Sequence, residues 1–274
     1  MVSKKVSVII PCCNSEKYVA HTLGLILKQL YKNIEVICVN DGSSDGTLAI
    51  LQQFSENNEN VKVVNLEENR GLFAARRAGA AAAEGDYILF LDSDDEVTPG
   101  WVGALVYKAE QTNADLVLGD VQKMGDRNRR DVDIWTPAFQ NLDPLRLQDL
   151  DTHGRGMLDL LMQMHGLCSH YHYIWNKLIR RDLWLRCADD FEKLRARREH
   201  LVMGEDIAFS ATLYCHAQKV CNIHNEYYIY CYHSGQSVES TNLPKFQKNV
   251  GDLVAVFDYL QELLSENGLY EQYA

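Results

Sequence analysis

Apolar residues along this chain recur with two alternating rhythms. Val6 to Ile10 is a β-rich apolar run, and Glu16 to Leu30 carries apolar residues at helical spacing with Asn14 or Ser15 as its cap. Ile34 to Val39 reads as a second buried strand, followed by a helix through Phe54 that Ser44 or Asp45 caps. A third strand over Val61 to Asn65 leads to an alanine-rich helix, Gly71 to Ala83, whose small side chains allow close packing on a sheet. Tyr87 to Leu91 is a fourth strand, and a helix from Pro99 to Gln111 and a fifth strand over Asp115 to Leu118 follow. Near-continuous apolar strands alternating with helices predict an α/β fold with a mostly parallel sheet covered on both faces.

The second half is less regular. Residues 119–143 are polar and predict a loop or hairpin, and Pro144 to Leu167 predicts a helix interrupted near HGRG. Tyr171 to Ile179 reads as strand-like, Glu205 to Cys215 as a helix, and Lys219 to Tyr232 as two short strands. Leu243 to Leu264 is amphipathic. This divides the chain into an α/β half over 1–120, an irregular half over 121–240 and a C-terminal helix over 241–274.

In open α/β sheets the ligand sits beyond the carboxyl ends of the strands. PCCNSE follows the first strand, NDGSSDG the second and DSDD the fourth, so three polar clusters fall on one edge. DSDD is the sharpest of them. Asp92, Asp94 and Asp95 follow directly on a buried strand, and clustered carboxylates repel one another and resist desolvation. A helix cap accounts for one of the three. A divalent Mg²⁺ or Mn²⁺ accounts for the rest, since such ions take oxygen ligands and are held by one or two carboxylates plus substrate phosphates. In the second loop, Asp41 can accept from a base N–H, Gly42 lets a flat ring approach the backbone, and the next helix N-terminus favours an anion. Arg70, Arg76 and Arg77 form a basic group on or near one helix, as anion ligands or as partners of surface carboxylates.

Composition narrows the function. The 274 residues carry a net charge of −11, which disfavours a nucleic-acid partner. No stretch approaches the roughly 20 apolar residues that span a bilayer, and there is no signal-peptide pattern, so a cytoplasmic protein is expected. Eight scattered cysteines then read as reduced thiols. Absence of GxxxxGK[ST], GxGxxG and GxSxG argues against a P-loop kinase, a dehydrogenase and an α/β-hydrolase.

VSVIIPCCNSEKYVAHTL, IEVICVNDGSSDGT and NRGLFAARRAGAAAAEGDYILFLDSDD, in that order, resemble the N-terminal half of family two glycosyltransferases of the GT-A fold. The resemblance covers roughly residues 5–118, and WNKL at 175–178 and GED at 204–206 are similar to later motifs of the same family. It implies inverting, metal-dependent transfer of a sugar from a UDP-sugar donor to a hydroxyl of a glycan or lipid-linked acceptor, in bacterial surface polysaccharide synthesis. It further implies that Pro11, Asn14, Glu16, Asp41, Ser43, Arg70, Arg76, Asp92 and Ser93 bind the nucleotide. Asp94 and Asp92 would hold Mn²⁺ or Mg²⁺ through the DXD motif, with His233 as a further metal or diphosphate contact. Asp206 would be the base with Glu205 beside it, and Trp175 and Asn176 would meet the acceptor. Cys12 and Cys13 depart from the pattern, where an aromatic commonly follows the proline. Peripheral contact with the inner face of a membrane, or a homodimer through the C-terminal helix, is compatible with this reading. A sugar nucleotidyltransferase and a non-catalytic nucleotide or sugar binder are the alternatives; the first would carry a Gly-rich N-terminal loop with a basic residue, which PCCNSE lacks.

Overall fold

The computed structural model describes residues 3–124, 150–163, 169–232 and 243–273. Its elements in chain order begin β1 (Val6–Cys12), α1 (Val19–Leu27), β2 (Ile34–Asp41), α2 (Thr47–Asn57), β3 (Val61–Leu66), α3 (Leu72–Ala81) and β4 (Tyr87–Phe90). Next come β5 (Glu96–Val97), α4 (Trp101–Thr112), β6 (Leu116–Met124), β7 (Asp151–Thr152), α5 (Gly154–Gln163), α6 (Ser169–His172) and β8 (Lys177–Arg180). The remainder are α7 (Arg181–Arg186), α8 (Ala188–Arg197), α9 (Glu205–His216), β9 (Val220–Cys231), α10 (Leu243–Glu266) and α11 (Tyr270–Tyr273).

Among the described residues one sheet runs in the order β3-β2-β1-β4-β8-β6-β9-β5, with β7 paired to β9. The block β3-β2-β1-β4 is parallel, as the alternating pattern predicts. The WNKL strand β8 breaks that pattern. It lies antiparallel between β4 and β6, with Leu178 opposite Leu89 on one side and Val117 on the other. Residues of the second half therefore complete the sheet of the first.

Local differences from the periodicity have local causes. The region expected as a loop after Leu118 continues as strand to Met124, past a register shift between Leu118 and Asp120. The two strands expected over 219–232 are one strand, β9, with Asn225 in the left-handed region at φ 68°. HGRG opens α5 instead of interrupting a helix, and the aromatic run at 171–176 is a short helix and a turn ahead of β8. The first helix starts only at Val19, because Asn14, at φ 51°, turns the chain across to the next loop.

Burial is complete along β1, β2 and β4, which supply the centre of the core. Helix α3 seats closely on them. A Cβ on Gly79 would lie 2.3 Å from Ile9 Cγ2, so this contact requires glycine. The buried residues of α3 are Phe73, Ala75, Arg76, Gly79 and Ala80, which places one arginine among apolar neighbours on the sheet-facing stripe.

Candidate active site

The three polar loops meet at the carboxyl edge of β1, β2 and β4 and are laced together by hydrogen bonds. Asn14 Oδ1 accepts the Ser44 N–H at 2.9 Å, and Ser43 Oγ accepts the Asn14 N–H at 3.1 Å. Glu16 Oε2 accepts the Gly46 N–H at 2.8 Å, while Asp45 Oδ1 accepts the Thr47 N–H at 3.0 Å just ahead of α2, whose N-cap is Gly46 and not Ser44 or Asp45. Ser15 joins the first loop to the third through Ser93 Oγ at 2.8 Å. Asn14, Glu16 and Ser43 thus shape the rim, with Pro11 buried in β1 behind them.

Asp41 ends β2, and its carboxylate accepts the backbone N–H of Arg70 at 2.7 Å and of Gly71 at 3.0 Å. Burial raises its pKa, and these two bonds hold the rise back. Gly42 has φ 59°, and a Cβ there would meet Asn69 N at 2.3 Å. The close approach that glycine permits is thus made by the chain's own 68–69 backbone. The Arg70 side chain is over half exposed and reaches Glu68 at 3.6 Å.

Accessibility separates the DSDD carboxylates. From residue 91 to 95, alternate positions are buried and half-buried, which places Leu91, Ser93 and Asp95 inward and Asp92 and Asp94 on the open side. Asp95 accepts from Tyr228 Oη at 2.6 Å and from the Cys231 N–H at 2.8 Å, and Tyr228 Oη also accepts the Asp92 N–H at 3.1 Å. One of the three acids therefore anchors β9 under the loop. Burial and the neighbouring charges of Asp94 and Asp92 push Asp95 well above the usual carboxylate range.

Arg76 organises the rest. It is 1% exposed, and its guanidinium donates to Asp206 Oδ1 at 2.8 Å, Glu205 Oε1 at 2.9 Å and Asp92 Oδ1 at 2.9 Å. Burial opposes its charge, but the three carboxylates outweigh that and raise its pKa above the ordinary guanidinium value. The nucleotide-holding role that the resemblance implies for Arg76 does not match this placement, because the head group is committed to the acids behind the rim. Glu205 and Asp206 open α9 just after Gly204, at φ 83°, where the helix N-terminus favours negative charge. They differ in access: the Glu205 side chain is 6% exposed and that of Asp206 is 22%. Burial, then the charge of Asp206, raise Glu205 to about 8, against the pull of Arg76. Burial likewise raises Asp92 to about 6, opposed by Arg76 and reinforced by Asp94 and Asp206.

The two residues expected to meet an acceptor are packed away. Trp175 is 3% exposed and stacks on Tyr173 at 4.2 Å and Tyr228 at 4.1 Å between ring centroids. Asn176 is 1% exposed and donates to Gly119 O at 3.3 Å. Both brace the floor of the site in this structure. His233 lies outside the described residues.

Two participants are absent from the sequence reading. Tyr228 is one of several tyrosines in YYIYCY and carries no signal of its own. Lys177 is buried beside Asn176, and a lysine leading into the apolar pair Leu178–Ile179 is a usable sign of an internal cation.

Asp92 and Asp94 supply hard oxygen donors on the open side of the rim, which suits a divalent ion. Among the described residues no three His, Cys, Asp or Glu side chains are grouped so as to hold one. No described helix is long and apolar enough to cross a membrane.

Comparison with known proteins agrees with this geometry. The chain is 39% identical over 120 residues to glycosyltransferase GlyA of Streptococcus pneumoniae, a match covering 44% of this chain and 17% of that one. It is 30% identical over 234 residues to the cholesterol galactosyltransferase of Borreliella burgdorferi, covering 82% and 59%. The chain thus spans less than two thirds of either relative. The crystal structure of S. aureus TarS 1–349 in complex with UDP-GlcNAc superposes with a TM-score of 0.67 at 23% identity, covering 95% of this chain and 71% of that one. The profile of Glycosyl transferase family 2 matches residues 7–182, more than half of the chain, and the mixed sheet is that of the GT-A fold. The chain belongs to family 2 of the glycosyltransferases.

Proposed function

We propose that this protein transfers a sugar, with inversion, from a UDP-sugar to a hydroxyl of a glycan or lipid-linked acceptor in bacterial surface-glycan synthesis. The observation that carries the reading is Arg76. A single guanidinium joins Asp92, at the end of the donor-side strand, to Asp206, at the start of the acceptor-side helix. UDP as the nucleotide is supported by the crystallisation of TarS with UDP-GlcNAc.

In this reading the diphosphate lies over the open carboxylates. Asp92 and Asp94 would hold Mn²⁺ or Mg²⁺, which when bound supplies Lewis-acid charge for the leaving diphosphate. The chain's own groups do the rest. The rim of Asn14, Glu16, Asp41 and Ser43 receives the nucleoside, with Arg70 exposed beside it. Asp206 takes the proton from the acceptor hydroxyl as that oxygen attacks the anomeric carbon opposite the leaving group. Its partial exposure suits this role, whereas Glu205 is enclosed and acts as a fixed partner of Arg76. General-base catalysis of this kind contributes about 10²–10⁴-fold.

Calorimetry with UDP, with and without Mn²⁺, beside a turnover screen over UDP-sugars tests the reading. Metal-enhanced UDP binding that Asp94→Asn weakens, with UDP release from at least one donor, is expected. Tight metal-independent binding with no release from any donor would identify a non-catalytic binder instead.

A further inference from the structure

Lys177 begins β8 and is 0% exposed. A buried ammonium ordinarily takes a carboxylate partner, because desolvating an unpaired charge is costly. Here Nζ donates to two neutral acceptors, the Tyr173 carbonyl and Asn176 Oδ1, the latter at 3.1 Å. It also lies 5.8 Å from the centre of the Tyr214 ring on α9, within the range of a cation–π contact. None of the ion pairs among the described residues includes it.

Its surroundings tie it to the helix that carries the acids. The 171–176 segment is stitched to α9 by Ser210 Oγ donating to His172 O at 2.6 Å and Tyr214 Oη donating to Tyr171 O at 2.8 Å. Lys177 adds the link between the Tyr173–Asn176 turn and the Tyr214 ring. On the same helix, Asp206 and Glu205 share one guanidinium with Asp92, three carboxylates to one cation. The ionisable groups that act on Lys177 are His172 from α6 and Asp206 and Tyr214 from α9, while the Tyr173 carbonyl meets it from the turn and Leu118 of β6 stands opposite it in register. Asp206 is the acid whose charge acts on it.

We propose that Lys177 is a positioning residue for Asp206: its ammonium fastens the Tyr173–Asn176 turn to the helix that presents Asp206 and supplies, after Arg76, the second positive charge of this acidic cluster. Burial pushes the Lys177 pKa down to about 7, and Asp206 pulls it back up, as a through-space pairing requires. The inference rests on Asp206 as the base.

The experiment has two arms. In the first, [¹³Cε]-lysine NMR follows the Lys177 signal with pH, assigned by its loss in Lys177→Met. Asp206→Asn should lower the protonation constant of Lys177 about tenfold, one pKa unit. A change below about twofold overturns the pairing. In the second, UDP release is measured for Lys177→Met with the donor that the screen identifies. Methionine fills the volume but leaves the Tyr173 carbonyl and Asn176 Oδ1 without this donor, so the variant's melting temperature should fall. Its kcat should fall about tenfold or more, with donor KM within about twofold, for a base left less well poised. Unchanged kcat, or kcat and donor KM worsening together, measured well below both melting transitions, overturns the proposal. Full turnover in Asp206→Asn would remove the base assignment itself, and the positioning role with it. Inactive Asp206→Asn with an unshifted Lys177 signal removes only the role of Lys177.

Discussion

Asp92 and Asp206 are hydrogen-bonded to the same guanidinium, at 2.9 and 2.8 Å, although one ends a strand of the first half and the other opens a helix of the second. Arg76 is thereby both a structural rivet and a ruler. It sets the distance between the carboxylate on the diphosphate side and the carboxylate on the acceptor side.

Removing the rivet should be costly. Arg76→Ala leaves three carboxylates around a buried gap, and breaking such a network costs about 3–5 kcal/mol. Arg76→Lys keeps one charge but cannot fork across three acids. Chemical denaturation should therefore rank wild type above Arg76→Lys and Arg76→Ala lowest, with UDP release lost in both variants. Wild-type stability in Arg76→Ala would show that the acids do not depend on it.

The enclosed position of Glu205 makes a pH prediction. Its folded-state pKa, about 8, lies above its ordinary value of 4.5, so the folded protein holds the extra proton between them. The stability this confers is complete below about 4.5 and is lost as pH rises through 8. In Glu205→Gln the side chain cannot ionise. The melting temperature of the variant minus that of the wild type should grow from pH 5 to 8 and then level off. A flat difference would mean that Glu205 stays ionised throughout.

An acid at the far end of the sheet behaves in the opposite way. Burial alone would raise Glu35, but bonds from Ser7, Lys5, the Glu84 N–H and Lys62 outweigh it and bring the pKa down to about 2. Ser7 Oγ lies 2.5 Å from Oε1, and the Lys5 and Lys62 ammonium groups lie 2.9 and 3.1 Å from Oε2. This contribution is present above pH 4.5 and is lost as pH falls towards 2. The advantage of wild type over Glu35→Gln in thermal melts should shrink over that window. A constant advantage would assign it to packing instead of charge.

Tyr228 offers a test of the floor. Its hydroxyl accepts the Asp92 N–H and donates to Asp95, both within the DSDD loop. Tyr228→Phe keeps the stack on Trp175 but leaves two buried groups unsatisfied, a cost of about 1–3 kcal/mol. Denaturant melts should show that loss. Turnover should fall as well, because the loop bearing Asp92 and Asp94 is less firmly held. No change in either would remove Tyr228 from the account.

Much of this was legible along the chain. Alternating runs from Val6 to Leu91 carried the parallel block, and the polar loops after β1, β2 and β4 do converge on one rim. The remainder depends on contacts between distant segments. Nothing local in WNKL says that β8 enters between β4 and β6 in the antiparallel sense, and nothing local in DSDD says that Asp95 turns inward to Tyr228. Arg76 is the instructive residue. It sits in the apolar stripe of α3 with Phe73 and Ala80, and an arginine there implies buried acids, yet two of the three lay 129 and 130 positions away.

The most direct test is Asp206→Asn, assayed for UDP affinity by calorimetry and for UDP release from the active donor under identical conditions. A carboxylate that acts only as base predicts affinity within about twofold of wild type and release slower by about 10²–10⁴-fold. Release at the wild-type rate, or affinity and rate falling in equal proportion, would contradict the account.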